Sequence, residues 1–451
     1  MIAANLGEFV AVVEAGFMKI TVVGLGKIGL PLAVQFARSG HHVFGADVNA
    51  DVVGQVNAAI VPFPGEDHLP EYLAETVRAK YLSATTDTAA AVADSDVIVV
   101  VVPLFVDEEA RPDFGWMDSA SSDIARGLQR GALVIYETTL PVGTTRDRWK
   151  PMLEQGSGLT EGSDFHLVFS PERVLTGRVF ADLRKYPKLL GGLSPEGAKA
   201  ATSFYEQVLQ FDERPDLERG NGVWDLGSAE AAEMAKLAET TYRDVNIGLA
   251  NQFGRFAAAN GIDVYQVIEA SNSQPYSHIH QPGIAVGGHC IPVYPRLYLW
   301  NDPQATVVRA AREANAAMPA YSVGLATGAA GGSLAGMSAA VLGASYRGGV
   351  KETAFSGVFA TVDALREAGA QVTVHDPMYS VEELARFGWD AYKYGQPVDV
   401  VIVQANHAEY ADLTSEKVPG AQIIVDGRRI LDRSQFLDST FLVVGQSSAT
   451  A

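Results

Sequence analysis

Short apolar runs alternate with helix-period stretches on both sides of one long, uninterrupted helical pattern. A glycine-rich turn sits between the first apolar run and the helix after it. Together these features predict an α/β protein of two Rossmann-like βαβ domains joined by a long central helix. The chain has 451 residues, 47% of them hydrophobic, enough for two or three domains with real cores. The pattern places a dinucleotide-binding domain at 18–215, a central helical segment at 216–320 and a second Rossmann-like domain at 321–445. Net charge is −19, which excludes general affinity for nucleic acid. No apolar run reaches the ~20 residues needed to span a bilayer, so no membrane partner is expected. The first 17 residues carry two glutamates and neither Lys nor Arg, a poor start for a signal peptide. They read as an upstream extension with Met18 as the natural start, and residues 446–451 read as a frayed tail. With one cysteine and no export signal, the cytoplasm is the expected compartment.

Taking the elements in order, Lys19 to Val23 reads as a buried parallel strand. It is followed by Gly24-Leu25-Gly26-Lys27-Ile28-Gly29, a helical run to Ser39, and a strand from Val43 to Asp47. GxGxxG alone is a weak signal. Here it lies between strand and helix, with an acid 18 residues beyond its last glycine, and that context makes it strong. Gly24 allows the turn, Gly26 admits a pyrophosphate, and Gly29 lets helix and strand pack closely. The helix amides at Lys27 and Ile28 face the phosphates. Asp47 would hold a ribose diol and repel a 2′-phosphate, which favours NAD over NADP. A tight turn without ligand is the alternative.

Further apolar strands run from Asp96 to Val102 and from Leu133 to Tyr136, the second leading into Glu137-Thr138-Thr139. Ligands of such sheets gather at the carboxyl ends of strands, so Thr139 is placed to face the nicotinamide, a reading favoured over the alternative of a Thr-rich helix cap. The strand from His166 ends in the same way, at Ser170-Pro171-Glu172-Arg173.

One helical pattern then runs from Ser228, a candidate cap, to Asn260, with Gly261 as its stop. Lys236, Thr240 and Arg243 share one face of it. Taken from the helix alone, Lys236 and Arg243 read best as solvated residues. Such a helix between two halves also offers a dimer surface. Beyond it lies Gly287-Gly288-His289-Cys290-Ile291-Pro292, holding the only cysteine. Cys290 is either a small buried residue or a nucleophile. The count alone favours burial, whereas the glycines, which clear space for a ligand, favour reactivity. His280 and His289, flanking the cysteine, raise a metal reading, but the spacing fits no common zinc pattern and there is no second Cys; no metal is expected. In the C-terminal third, strands at Ala339 to Ser345, Gln371 to His375, Val398 to Gln404 and Gln422 to Val425 form a second βαβ set without GxGxxG. Arg347 and Arg428 stand at strand ends, suited to a phosphate or uridine diphosphate.

The segments GLGKIGLP, ETTLPVGTT, SPERVLTG, AEMAKLAETTYRDVNIGLANQ, AVGGHCIP, VLGASYR and VDGRR, in this order and spacing, resemble the UDP-glucose/GDP-mannose dehydrogenase family. The resemblance covers Met18 to about Val444. The GGHCIPV form and the YRDVNI helix look closest to branches acting on UDP-N-acetylhexosamines. It implies an NAD-dependent four-electron oxidation of a sugar C6 alcohol to a carboxylate, with UDP-N-acetylmannosamine or UDP-N-acetylglucosamine as substrate; the homodimer is expected from the long central helix itself.

By the same resemblance Cys290 holds the C6 carbon as a thiohemiacetal and then a thioester, and Lys236 stabilises the developing oxyanion or shuttles a proton. Glu172 and Thr139 position the hydrolytic water, with Thr240 beside them. Gly24, Gly26, Lys27, Ile28, Gly29, Asp47 and Thr139 contact NAD. Arg173, Arg243, Asn246, Gly287, Tyr346, Arg347 and Arg428 grip the nucleotide-sugar. Physical chemistry agrees in outline: the thiolate is the nucleophile, and a nearby cation favours both it and the alkoxide.

Four positions depart from the family's pattern: Thr240 for Asn, Tyr294 for Asp, Leu104-Phe105 in the VPTP turn, and Ala354 for Arg. Tyr294 cannot serve as a carboxylate base at neutral pH. These changes leave room for other readings: a UDP-glucose 6-dehydrogenase, a two-electron or non-oxidising relative, or a nucleotide-sugar sensor that kept the fold. A 3-hydroxyacid dehydrogenase would share the first domain and a helix lysine, but needs no Cys and no second βαβ domain.

Overall fold

Among the described residues, ten strands and their connecting helices build the first half of the chain. The strands are β1 (Lys19–Val23), β2 (His42–Ala46), β3 (Leu82–Thr85), β4 (Val97–Val100), β5 (Phe105–Val106), β6 (Pro112–Asp113), β7 (Leu133–Tyr136), β8 (His166–Phe169), β9 (Lys188–Gly192) and β10 (Val223–Asp225). The computed structural model describes residues 16–107, 109–288 and 290–446. Residues 1–15 of the expected extension, 447–451 of the expected tail, and His289 lie outside the described residues. The chain divides into two compact units, 1–238 and 239–451.

In the first unit eight strands form one sheet in the order β10-β9-β8-β7-β4-β1-β2-β3, and β5 and β6 form a separate antiparallel hairpin. From β3 to β8 all pairings are parallel; β9 runs antiparallel to β8, and β10 is parallel to β9. The strands are buried on both faces, so each reads as a continuous apolar run rather than an alternation. Helix α1 (Gly29–Arg38) packs Leu30, Phe36 and their neighbours against Ile20, Val22, Val97 and Val99. Helix α2 (Pro195–Val208) adds Phe204 and Tyr205 to the same core. The order reverses between β1 and β4, the switch point where sheets of this kind bind ligands.

The turn from β1 to α1 explains two of its glycines differently. Gly24 adopts a φ of +94°, and a Cβ on Gly29 would lie 1.8 Å from the Gly24 carbonyl oxygen. The third glycine of the turn packs against the turn itself. A Cβ on Gly26 would meet nothing within 4 Å.

Helix α3 (Ala229–Ala259) is the predicted central helix, 31 residues long. Ser228 caps it, its hydroxyl accepting from the Ala231 amide, and Gly261 follows its end with a φ of +73°. In the first unit Glu233 of this helix fastens the 138–145 loop. Its carboxylate accepts from the Gly143 amide at 2.6 Å, the Thr145 amide at 2.9 Å and the Thr145 hydroxyl at 2.6 Å. Burial pushes the Glu233 carboxyl up to about 7 despite these donors.

The second unit carries β11 (Ser338–Leu342), β12 (Gln371–His375), β13 (Asp390–Ala391), β14 (Val400–Val403), β15 (Ile423–Asp426) and β16 (Thr440–Val443). All are parallel, in the order β13-β12-β11-β14-β15-β16. Alternate residues feed opposite cores. Val341, Val400 and Ile402 join one with Ile284, Val358 and Val362; Ala340, Val401 and Val403 join the other with Val264, Ile268 and Tyr410. Helix α4 (Cys290–Asn301) is a departure from expectation, because the cysteine segment reads as a turn and is instead the start of a helix. Pro292 falls in its first turn, where a missing N–H costs nothing, so it does not stop the helix. Helix α5 (Thr306–Ala316) follows.

Two measurements test these assignments. Gly29→Ala should lower stability by roughly 1–3 kcal/mol, whereas Gly26→Ala should leave it within about 0.5 kcal/mol and weaken dinucleotide binding; equal melting losses would refute the distinction. The raised Glu233 carboxyl holds a proton in the folded chain that the unfolded chain releases, so its contribution is present at low pH and lost as pH rises through about 7. In urea titrations the stability of the wild type relative to Glu233→Gln should fall by on the order of 3 kcal/mol from about pH 5 to about pH 8; a flat difference would contradict the burial argument.

Candidate active site

In the first unit the glycine turn and Asp47 come together at the switch point. Gly26 and Lys27 are exposed, Ile28 is half-buried, and the first turn of α1 has no side-chain cap. Its amides are therefore available to an anion. Asp47, just past β2, accepts from the Leu25 amide at 2.8 Å and from the Asn49 amide at 2.9 Å. The carboxylate is thus locked beside the glycine turn. Open space over Gly26, an uncapped helix start and a fixed acid at the end of the second strand together fit a dinucleotide with a free ribose diol.

Thr139 is buried in the loop after β7, and its neighbour Thr138 donates to the Val102 carbonyl at 2.6 Å. Glu172 follows β8. Its Oε1 accepts from the Arg173 amide at 2.6 Å and the Val174 amide at 3.2 Å, and its Oε2 accepts from Lys188 Nζ at 2.8 Å. Lys188 also donates to Glu137 Oε2 at 2.9 Å, and the Tyr205 hydroxyl donates to Glu137 Oε1 at 2.5 Å. Burial works against the charge on Glu172, but Lys188, the Arg173 amide and Lys236 together outweigh it and hold the carboxyl below the usual range. Burial pushes Glu137 the other way, up to about 7, against the pull of Lys188. A small pocket lined by Pro171, Glu172, Arg173 and Lys188 opens here. The Arg173 guanidinium donates to the Pro187 carbonyl. Lys236 is only 5% exposed and adds positive field at Glu172. The expectation of a solvated Lys236 is therefore corrected: the helix face that carries it is an inner face.

In the second unit Thr240 is buried, and Arg243 is half-buried with its guanidinium near Glu239. Asn246 donates to the His278 carbonyl at 2.7 Å and accepts from the His280 amide at 2.8 Å, so it holds the loop ahead of the cysteine. Cys290 is exposed, which removes the buried-residue reading. The glycines beside it do not simply leave open space: a Cβ on Gly287 would lie 2.6 Å from Tyr346 Cβ, and one on Gly288 2.9 Å from the Tyr346 ring. They bring the cysteine segment against the loop after β11. Arg347 is exposed and donates to the Tyr346 hydroxyl at 3.1 Å. Arg428, after β15, donates to the Gln404 carbonyl at 2.7 Å, and burial lowers its guanidinium to about 10.

Several site residues lay outside the sequence argument. Glu137 sits inside a quoted motif, and Glu233 is one turn before Lys236 on the same helix face, so spacing could have raised both. Lys188 and Tyr205 carry no local signal; only the fold brings Lys188 to Glu172 and Tyr205 to Glu137. In the second unit a buried polar chain grips the cysteine segment from both ends. Asn251 accepts from the Gly283 amide and donates to Asn315, Asn315 donates to Asp244, and Asp244 pairs with Arg312, which donates to the Pro292 carbonyl. No group of three His, Cys, Asp or Glu placed to hold a metal occurs among the described residues.

Comparison with known proteins converges on one family. Its models match in chain order: the NAD binding domain of the UDP-glucose/GDP-mannose dehydrogenase family over 18–209, its central domain over 230–317 and its UDP binding domain over 340–433. The chain is similar to a UDP-N-acetyl-D-mannosamine dehydrogenase of Pyrococcus horikoshii, 35% identical over 424 residues that cover 92% of this chain and 96% of the relative. It is also similar to an NDP-N-acetyl-D-galactosaminuronic acid dehydrogenase of Ralstonia solanacearum, 36% identical over 68% of this chain and 71% of the relative. The solved structure of the UDP-D-ManNAc dehydrogenase of Pyrococcus horikoshii superposes with a TM-score of 0.85 at 32% identity, covering 96% of this chain and all of that one. The chain therefore belongs to the UDP-glucose/GDP-mannose dehydrogenase family and is an NAD-dependent nucleotide-sugar dehydrogenase.

Proposed function

We propose that this enzyme oxidises the C6 alcohol of a UDP-N-acetylhexosamine, UDP-N-acetylmannosamine first among the candidates, to the uronic acid. The observation that carries the reading is Cys290: the single thiol of the sequence, exposed, at the first position of a helix, in a chain matched along its length by the family. The substrate choice is supported by the similar proteins of Pyrococcus horikoshii and Methanocaldococcus jannaschii, both named UDP-N-acetyl-D-mannosamine dehydrogenases.

NAD+, when bound, supplies the hydride acceptor for both oxidations. Asp47 holds the ribose diol, and the amides of the Gly24 to Gly29 turn hold the pyrophosphate. The Cys290 thiolate adds to the C6 aldehyde, forming a C–S bond and an alkoxide. This adduct keeps the aldehyde from escaping between the two hydride transfers. Lys236 stabilises the oxyanion. After the second oxidation leaves a thioester, Glu172 takes a proton from water positioned with Thr139, and the water oxygen attacks the carbonyl. The C–S bond breaks, and its electron pair leaves on Sγ. Thr240 stands where an amide would assist and keeps one hydroxyl donor. Arg173, Arg243, Asn246, Gly287, Tyr346, Arg347 and Arg428 take the nucleotide-sugar.

The division into 18–215, 216–320 and 321–445 follows this assignment of cofactor, catalytic and nucleotide-sugar segments. A homodimer is supported by Tyr242, Leu249, Phe253 and Phe256, exposed apolar side chains that recur along one face of α3. Residence in the cytoplasm is supported by an exposed, unpaired thiol that must stay reduced.

The test is NADH yield and product mass over a panel of UDP-N-acetylmannosamine, UDP-N-acetylglucosamine and UDP-glucose. Two NADH per uronic acid is expected with a UDP-N-acetylhexosamine, and Cys290→Ala should form no acid. One NADH per turnover would favour the two-electron reading that Thr240 and Tyr294 motivate. Acid formed by Cys290→Ala at the wild-type rate would overturn the covalent route.

A further inference from the structure

Three elements that are distant in sequence place charges in one buried cluster. Glu137 follows β7, Glu172 follows β8, and Lys188 opens β9. The Lys188 side chain is 4% exposed, that of Glu137 0% and that of Glu172 11%. One ammonium therefore serves two carboxylates, at 2.9 and 2.8 Å, and only the second reaches solvent. Tyr205 on α2 donates to the far oxygen of Glu137, and its ring lies 4.8 Å from Lys188 Nζ. The Ser170 hydroxyl donates to the Leu189 carbonyl and lies against Tyr205. Further charged groups near Glu172 are Lys236 on α3, the adjacent Arg173, and Asp182, which lines the same pocket.

This arrangement is asymmetric. Glu137 is enclosed by Lys188 and Tyr205, with no outlet. Glu172 has one oxygen fixed by Lys188, the other fixed by two backbone amides, and one edge open. A carboxylate held that way keeps its orientation and charge while leaving a lone pair for a water. Glu137 keeps the lysine charged and in place, because a lone ammonium would not stay ionised there.

We propose that Lys188 is a positioning residue for the hydrolytic half of the reaction: clamped by Glu137, it fixes Glu172 as an ionised, oriented proton acceptor for the water that cleaves the Cys290 thioester. The proposal rests on the reading of Glu172 given above. It assigns Lys188 no part in the two hydride transfers, which precede hydrolysis.

The experiment uses the full-length enzyme, NAD+ and the nucleotide-sugar that turns over best in the panel. It reads the NADH burst, steady-state kcat and KM, the pH profile of kcat, and the intact mass of the protein. Lys188→Met should keep the burst and lose roughly 100-fold in steady-state kcat, with an acyl adduct accumulating on Cys290. The acid limb of its profile should move to higher pH, since a carboxyl that loses its cation is harder to ionise. Lys188→Arg should restore kcat and the limb. Because Lys188→Met leaves two buried carboxylates facing one another, the double variant Lys188→Met/Glu137→Gln provides a folded control and should show the same slow hydrolysis and shifted limb. A double variant with wild-type profile and no adduct would overturn the role of Lys188, as would an equal loss of burst and steady state with an unmoved limb. Glu172→Gln separates the two ideas: accumulation of adduct upholds the reading of Glu172 whatever Lys188 does, and acid formation at the wild-type rate overturns that reading and the proposal with it.

Discussion

A lysine ammonium taken out of water must be neutralised, and at Lys188 that need organises the ligand end of the first sheet. Its two carboxylate partners come from the loops after two neighbouring strands, so satisfying one charge ties three strand ends together. Removing a partner from a buried pair of this kind costs about 3–5 kcal/mol, because a charge is left unpaired in a poor solvent for it. The position of Glu172 is thus a consequence of electrostatics that the whole sheet must respect, rather than of the short turn that carries it.

The same logic recurs with different chemistry along α3. Glu233 spends its carboxylate on the loop that carries Thr139. Further along, Asn251 binds one end of the segment that carries Cys290 directly, Asp244 reaches the other through Arg312, and Asn315 ties the two together. The central helix presents few reactive groups itself. Within each unit, polar side chains of this helix hold a reactive loop in place, and Tyr242, Leu249, Phe253 and Phe256 stay exposed. Buried polar contacts of this sort add little net stability, but they discriminate strongly against other loop positions, since an unmade bond leaves an unsatisfied group.

Much of the fold was legible because its signals are local. Continuous apolar runs mark strands covered on both faces, Ser228 and Gly261 mark the ends of α3, and GxGxxG between strand and helix marks the first switch point. The start of α4 was not legible, because two prolines and two glycines dominate any local reading of that stretch; Pro292 falls in the first turn, where it is tolerated, while Pro295 lies inside the helix against its local preference. The burial of Lys236 was equally hidden: helical spacing shows that Lys236 and Thr240 share a face but not whether that face points inward.

By itself the sequence determined the element order, the dinucleotide turn, the identity of the one thiol and the resemblance to a dehydrogenase family, all of which rest on residues close together in the chain. Only the tertiary structure decided that Cys290 is exposed, that the glycines beside it seat Tyr346, and that Glu172 is gripped by Lys188. The reason is physical. Exposure and charge pairing depend on which strand ends become neighbours, and in this sheet order β8 lies beside both β7 and β9, which brings together charges on three successive strands whose spacing in the chain carries no mark of it.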